Sequence, residues 1–134
     1  MSEARIAGTG VHLPRYRLPA AAVREAWDDG PGIERRTVPA ADEDALTMAV
    51  AATRRALAAA GLDADAVAGV ALASTPPPVA EGELVPRLAR ALGLSGDLRA
   101  STHTQSPAGA ADAVLAAAGT DGPAVAVAAD APAA

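Results

Sequence analysis

The chain has 134 residues, a formal net charge of -5 and 51% hydrophobic residues, a size that holds one domain. Alanine accounts for 39 residues, all 11 basic residues are arginine, and lysine, cysteine, asparagine and phenylalanine are absent. These absences exclude a Walker-type or Schiff-base lysine, disulfides, thiolate metal sites and a thiol nucleophile.

Arg5 to Leu13 is short, apolar and bounded by Pro14, and predicts a strand. Gly8 and Gly10 start a dinucleotide-type fingerprint, but Leu13 stands where the third glycine belongs and no helix follows directly. The proline-bounded stretch 14–19 reads as a loop, Ala20 to Trp27 as a short helix, 28–32 as a turn and Ile33 to Pro39 as extended chain. The clearest helix runs from Asp42, with Glu43 and Asp44 suited to its positive end, to a stop at Gly61. Leu46, Ala49, Val50, Thr53, Leu57 and Ala60 give it one apolar stripe, leaving Arg54 and Arg55 on the solvated side.

Val67 to Ser74 is almost continuously apolar, as a strand covered on both faces would be. Pro76–Pro78 makes a stiff connector to a helix from about Glu81 to Leu92, closed by Gly93. Arg99 to Gln105 reads as extended, Ser106 to Ala118 as a helix and Ala124 to Ala129 as a last strand. Strands alternating with helices imply crossover units, hence an α/β fold with a mostly parallel sheet.

Acidic charge argues against nucleic acid or an anionic membrane as a partner. No apolar run approaches the roughly 18 residues of a membrane span, and 1–5 lacks a signal-type apolar region, so a soluble cytoplasmic chain is expected. Alanine and arginine richness fits a GC-rich genome. Two histidines, His12 and His103, leave little for a metal site, and neither metal nor cofactor is expected. Trp27 and Tyr16 read as packing residues rather than a base-stacking platform.

An ordered set of segments carries a family resemblance. They are Gly8-Thr-Gly-Val-His-Leu-Pro-Arg-Tyr-Arg-Leu18, Val38-Pro39, Asp42-Glu-Asp-Ala-Leu-Thr-Met-Ala49, Arg55-Ala-Leu57, Val70-Ala-Leu-Ala-Ser74, Ala89-Arg-Ala-Leu-Gly93, Ala108-Gly-Ala-Ala111 and Val125-Ala-Val-Ala-Ala-Asp130. Together they resemble the first half of a thiolase-fold acyltransferase, of the archaeal hydroxymethylglutaryl-CoA synthase and type-three β-ketoacyl synthase kind. The resemblance implies a fold of two similar βαβαβ halves, with residues 1–134 supplying a thiolase-like N-terminal half-domain.

The resemblance also implies site residues. The family's acyl-accepting cysteine sits where a strand meets a helix N-terminus, and the matching residue is Ser106. Its general-acid glutamate follows the second strand, where this chain has Thr75. The catalytic histidine belongs to the family's second half. Ser106 therefore has two readings: a helix cap followed by Pro107, or an acyl acceptor that needs its own base. His103 with Asp112 or Asp130 is the candidate base system, although no spacing rule brings it to Ser106. The implied partners are acyl-CoA and a thiolase-like partner chain or a second copy. Arg15 and Arg17, two arginines in a proline-bounded loop, are too weak a signal to be assigned to a CoA phosphate. The strand near Leu98 to Gln105 would pair across a dimer, and apolar surface is expected on the helix from Asp42 or on that from Ser106. Catalysis by this chain alone is not expected.

Overall fold

The computed structural model describes residues 3–28, 32–75 and 83–131. The chain divides into two compact units, residues 1–12 with 44–134, and residues 13–43.

In the larger unit, helix Ala45–Ala60 starts on a reciprocal cap. The Asp44 carboxylate accepts from the Thr47 N–H at 2.7 Å, and the Asp44 N–H donates to the Thr47 hydroxyl at 2.8 Å. Gly61 ends the helix in the left-handed region at φ 64°, a conformation in which glycine carries no Cβ penalty. Three parallel strands follow, Gly69–Ala73, Arg99–His103 and Ala124–Ala128, with the first in the middle. The helices Leu84–Leu92 and Gly109–Ala118 make the two crossovers. For the larger unit we label the helices αA (45–60), αB (84–92) and αC (109–118), and the strands βA (69–73), βB (99–103) and βC (124–128).

Side-chain alternation sorts the sheet's two faces. Val70 and Leu72 of βA with Val125 and Val127 of βC join Ala49 and Leu57 of αA and Leu84, Val85 and Leu88 of αB in one core cluster. Ala71 and Ala73 face the other way and pack with Ala113 of αC. All five βA residues are buried, as the unbroken apolar run predicts. Large side chains thus fill one face, and alanine lets αC lie close to the other.

Residues 3–14 form no strand, contrary to the sequence expectation. A strand needs a ladder partner, and this segment lies along a helix instead: Gly8 and Gly10 run flush against the αA main chain, beside Ala52, Ala56 and Ala60. The glycines serve a close backbone approach, and Arg55 fixes the same segment by donating to the Val11 carbonyl at 2.6 Å.

The smaller unit holds an antiparallel ribbon of Tyr16–Pro19 and Arg35–Val38, with the helix Ala20–Trp27 between them. The helix matches its predicted span, whereas the expected loop at 14–19 supplies a strand. That strand is exposed throughout, and its Tyr16/Leu18 alternation with Arg15 and Arg17 is only four residues long and bounded by Pro14 and Pro19. Trp27 is exposed rather than packed, and Tyr16 lies beneath the Arg15 guanidinium at 4.9 Å. The connector Pro76–Pro78 and Glu81 lie outside the described residues.

Candidate functional site

The carboxyl ends of βA and βC meet the start of αC around a pocket of about 220 Å³. In open parallel sheets this end of the strands is where ligands bind. Ala73, Ala110 and Ala128 line it, and their small side chains leave the space. Ser74, Thr75, Ser106 and Asp130 supply its polar groups.

Ser106 stands three residues beyond βB, in a turn that leads into αC. Its hydroxyl accepts from the Ala108 N–H at 3.1 Å, and its carbonyl accepts from the Gly109 N–H at 2.9 Å. It therefore does cap-like work, but from two residues before the N-cap position, because the helix starts later than expected: Ala108 occupies the N-cap position and Gly109 opens the helix. Gly109 is needed at that point because a Cβ there would stand 2.9 Å from the His103 carbonyl oxygen. The close approach presses αC onto the end of βB and so sets the depth at which Ser106 sits.

Thr75 lies in the same pocket. Its N–H donates to Asp130 Oδ1 at 2.5 Å, and its hydroxyl reaches the Ser106 carbonyl at 3.5 Å. The two residues that the sequence singled out, 31 positions apart, are thus neighbours. Ser74, buried between them and the sheet, donates its N–H to the His103 carbonyl at 3.2 Å.

The members of the candidate base system have other partners or lie apart. His103 Nε2 shares a hydrogen bond with the Ser101 hydroxyl at 3.0 Å, Asp130 holds a main-chain N–H, and Asp112 sits exposed in the first turn of αC. His12 Nδ1 is 3.1 Å from the Arg55 guanidinium. Arg17 donates to the Pro14 and Tyr16 carbonyls within its own unit. Among the described residues no cluster of three or more histidines and carboxylates could hold a metal ion, and no helix is long and apolar enough to cross a membrane.

No protein-family model matches the chain. It is 33% identical over 105 residues to the hydroxymethylglutaryl-CoA synthase of Methanopyrus kandleri, a match covering 73% of this chain and 30% of that protein. Against the same-named protein of Methanococcus maripaludis strain C5, it is 36% identical over 108 residues, or 75% of this chain and 31% of that protein. Among solved structures, the priming β-ketosynthase of the R1128 polyketide pathway superposes with a TM-score of 0.73 at 29% identity, covering 85% of this chain and 36% of that one. The 3-oxoacyl-[acyl-carrier-protein] synthase III of Aquifex aeolicus gives a TM-score of 0.74 at 24% identity, over 82% and 37% of the two chains, and so agrees in fold.

The chain is thiolase-like.

The thiolase-like match is to the N-terminal part of such proteins, and it spans about 30% of the length of the curated relatives. In this thiolase-like chain the parallel βA–βB–βC sheet agrees with the α/β reading of the sequence.

Asp130 is the residue whose role sequence reasoning missed. It closes the last apolar strand segment and was weighed only as a remote partner for His103. No local sequence signal marks it: its place follows from the register in which Ala73 pairs with Ala128, so that two steps further on Thr75 meets Asp130. The exposed apolar surface foreseen on one of two helices falls on αC, where Val114 and Leu115 are 56% and 70% exposed. The αA stripe is mostly covered instead: Ala49, Thr53 and Leu57 are buried, and Leu46, Val50 and Ala60 half-buried.

Proposed function

We propose that this chain is the acyl-binding segment of a hydroxymethylglutaryl-CoA synthase-like acyltransferase in which Ser106 occupies the position of the acyl-accepting cysteine. It holds an acyl thioester such as acetyl-CoA in the Ser106 pocket without taking the acyl group itself. The observation that carries this reading is the joint placement of Ser106 and Thr75. The serine sits at the strand-to-helix turn and the threonine at the strand end, on one pocket of about 220 Å³.

Chemistry supports the absence of transfer. A helix start and its N–H groups lower the pKa of a thiol into the working range, whereas a hydroxyl begins far higher and needs a base. The Ser106 hydroxyl accepts from the Ala108 N–H, and His103 Nε2 is engaged with the Ser101 hydroxyl rather than with Ser106. Thr75, in the place of a general-acid glutamate, has a hydroxyl that gives up no proton near neutral pH. What remains is a pocket with hydrogen-bonding groups in which the Asp130 carboxylate is held by the Thr75 N–H.

Titration with acetyl-CoA, followed through backbone amide shifts, tests the binding. Saturable shifts confined to 73–75, 106–110 and 128–130 are expected. Shifts spread over the surface, or none, contradict the reading.

A second reading is favoured by the exposed Val114 and Leu115. In it, the chain is an acyltransferase component that acts when a thiolase-like partner chain, or a second copy, covers αC. Sedimentation discriminates: self-association or capture of such a partner supports it, and a monomer that binds no hydrophobic dye opposes it.

A further inference from the structure

The sheet's hydrogen-bond ladder between βA and βC ends with the Ala129 N–H on the Ala73 carbonyl at 3.0 Å. Beyond that step the two strands no longer pair through their main chains, and the pocket opens between them. The next cross-strand bond, from the Thr75 N–H, goes to a side chain, the Asp130 carboxylate. In the βA–βC register, where Ala73 faces Ala128, Asp130 is the residue opposite Thr75.

We infer that Asp130 is a positioning residue for the Ser106 pocket, acting as a latch that holds the Thr75 main chain at the pocket's lip. The inference rests on the proposed thioester reading for its functional consequence. A carboxylate reaching across does what a carbonyl cannot. It satisfies the Thr75 N–H while keeping the two strand ends apart by the length of a side chain, which leaves room between them. A bond to an ionised acceptor is also shorter and stronger than a neutral one. Held in this way, Thr75 presents its hydroxyl toward Ser106, whose own carbonyl lies 3.5 Å away. The latch therefore couples the end of βC to the turn before αC through Thr75, and it fixes the spacing of the two pocket walls. Asp130 touches no reacting atom in this scheme; its effect on a ligand passes through Thr75.

Amide hydrogen exchange and acetyl-CoA titration of the 134-residue chain, with Asp130→Ala and Asp130→Asn, test the latch. Loss of one charge-assisted bond predicts exchange at Thr75 about tenfold faster in Asp130→Ala. Protection at Ala71 and Leu72 should be unchanged, which also shows that the sheet remains folded. Asp130→Asn keeps an oxygen acceptor and should restore most of the protection. The affinity for acetyl-CoA should fall in the alanine variant and recover in the asparagine one. Thr75 exchange unaltered in Asp130→Ala overturns the latch, and the thioester reading then survives if pocket amides still respond to acetyl-CoA. Failure of any pocket amide to respond in the unaltered chain overturns the thioester reading and with it the positioning role, whatever Thr75 does.

Discussion

Gly10 lies so close to αA that a Cβ placed on it would stand 2.2 Å from the Ala52 carbonyl oxygen and 2.4 Å from the Ala56 nitrogen. Backbone atoms cannot give way as a flexible side chain can. The chain between Gly8 and Gly10 is therefore held to a helix surface made almost wholly of alanine, and the glycines and alanines are two halves of one contact.

Gly10→Ala is expected to destabilise the chain by about 3 kcal/mol, the upper range of overpacking costs. Urea unfolding followed by circular dichroism measures it. Gly32→Ala is the control: among the described residues, chain neighbours aside, nothing lies within 4 Å of a Cβ there, and its change should stay within about 0.5 kcal/mol.

Thr53 is 1% exposed on αA, and its hydroxyl has no hydrogen-bond partner among the described residues. Replacing it with valine removes an unsatisfied polar atom at almost constant shape. Thr53→Val should stabilise the fold by about 1 kcal/mol, read as a higher Tm. Thr53→Ala, which leaves a void, should lower it. A valine variant less stable than the parent would show that the hydroxyl has a partner.

The cap on αA predicts a graded loss. Asp44→Ala removes the acceptor for the Thr47 N–H and should cost about 1 kcal/mol, while Asp44→Asn should cost much less. Thermal unfolding of the pair separates the cap from any general effect of charge.

Ala110 lines the pocket and is solvent-facing at the start of αC. Ala110→Leu should fill the pocket and abolish the saturable acetyl-CoA shifts while changing stability by less than about 0.5 kcal/mol. Retained shifts would place the ligand elsewhere.

Much of the larger unit is legible in the sequence, because its signals are local. Gly61 and Gly93 mark helix ends that the structure keeps, and the unbroken run through Val70 and Leu72 marks a strand buried on both faces. What misled was information that lives in packing. Gly8 and Gly10 sit in a strand-like apolar run, and only αA, more than 40 positions away, explains them. The strand Tyr16–Pro19 is exposed, and its short Arg15-Tyr-Arg-Leu18 alternation is hidden by the prolines that bound it, which read as a loop. At the site, Ser106 and Thr75 could be named from the family resemblance, but their adjacency and the hold of Asp130 depend on the βA–βC register. Ser106-Pro107 looks like a cap followed by a first helical residue, yet the tight seat of Gly109 on His103 delays the helix.

The central claim is that the Ser106 pocket binds an acyl thioester without accepting its acyl group. Intact mass of the chain after incubation with acetyl-CoA, at concentrations that saturate the pocket amide shifts, tests it most directly. The account predicts an unmodified mass with the shifts present. A covalent acetyl adduct that disappears in Ser106→Ala would contradict it.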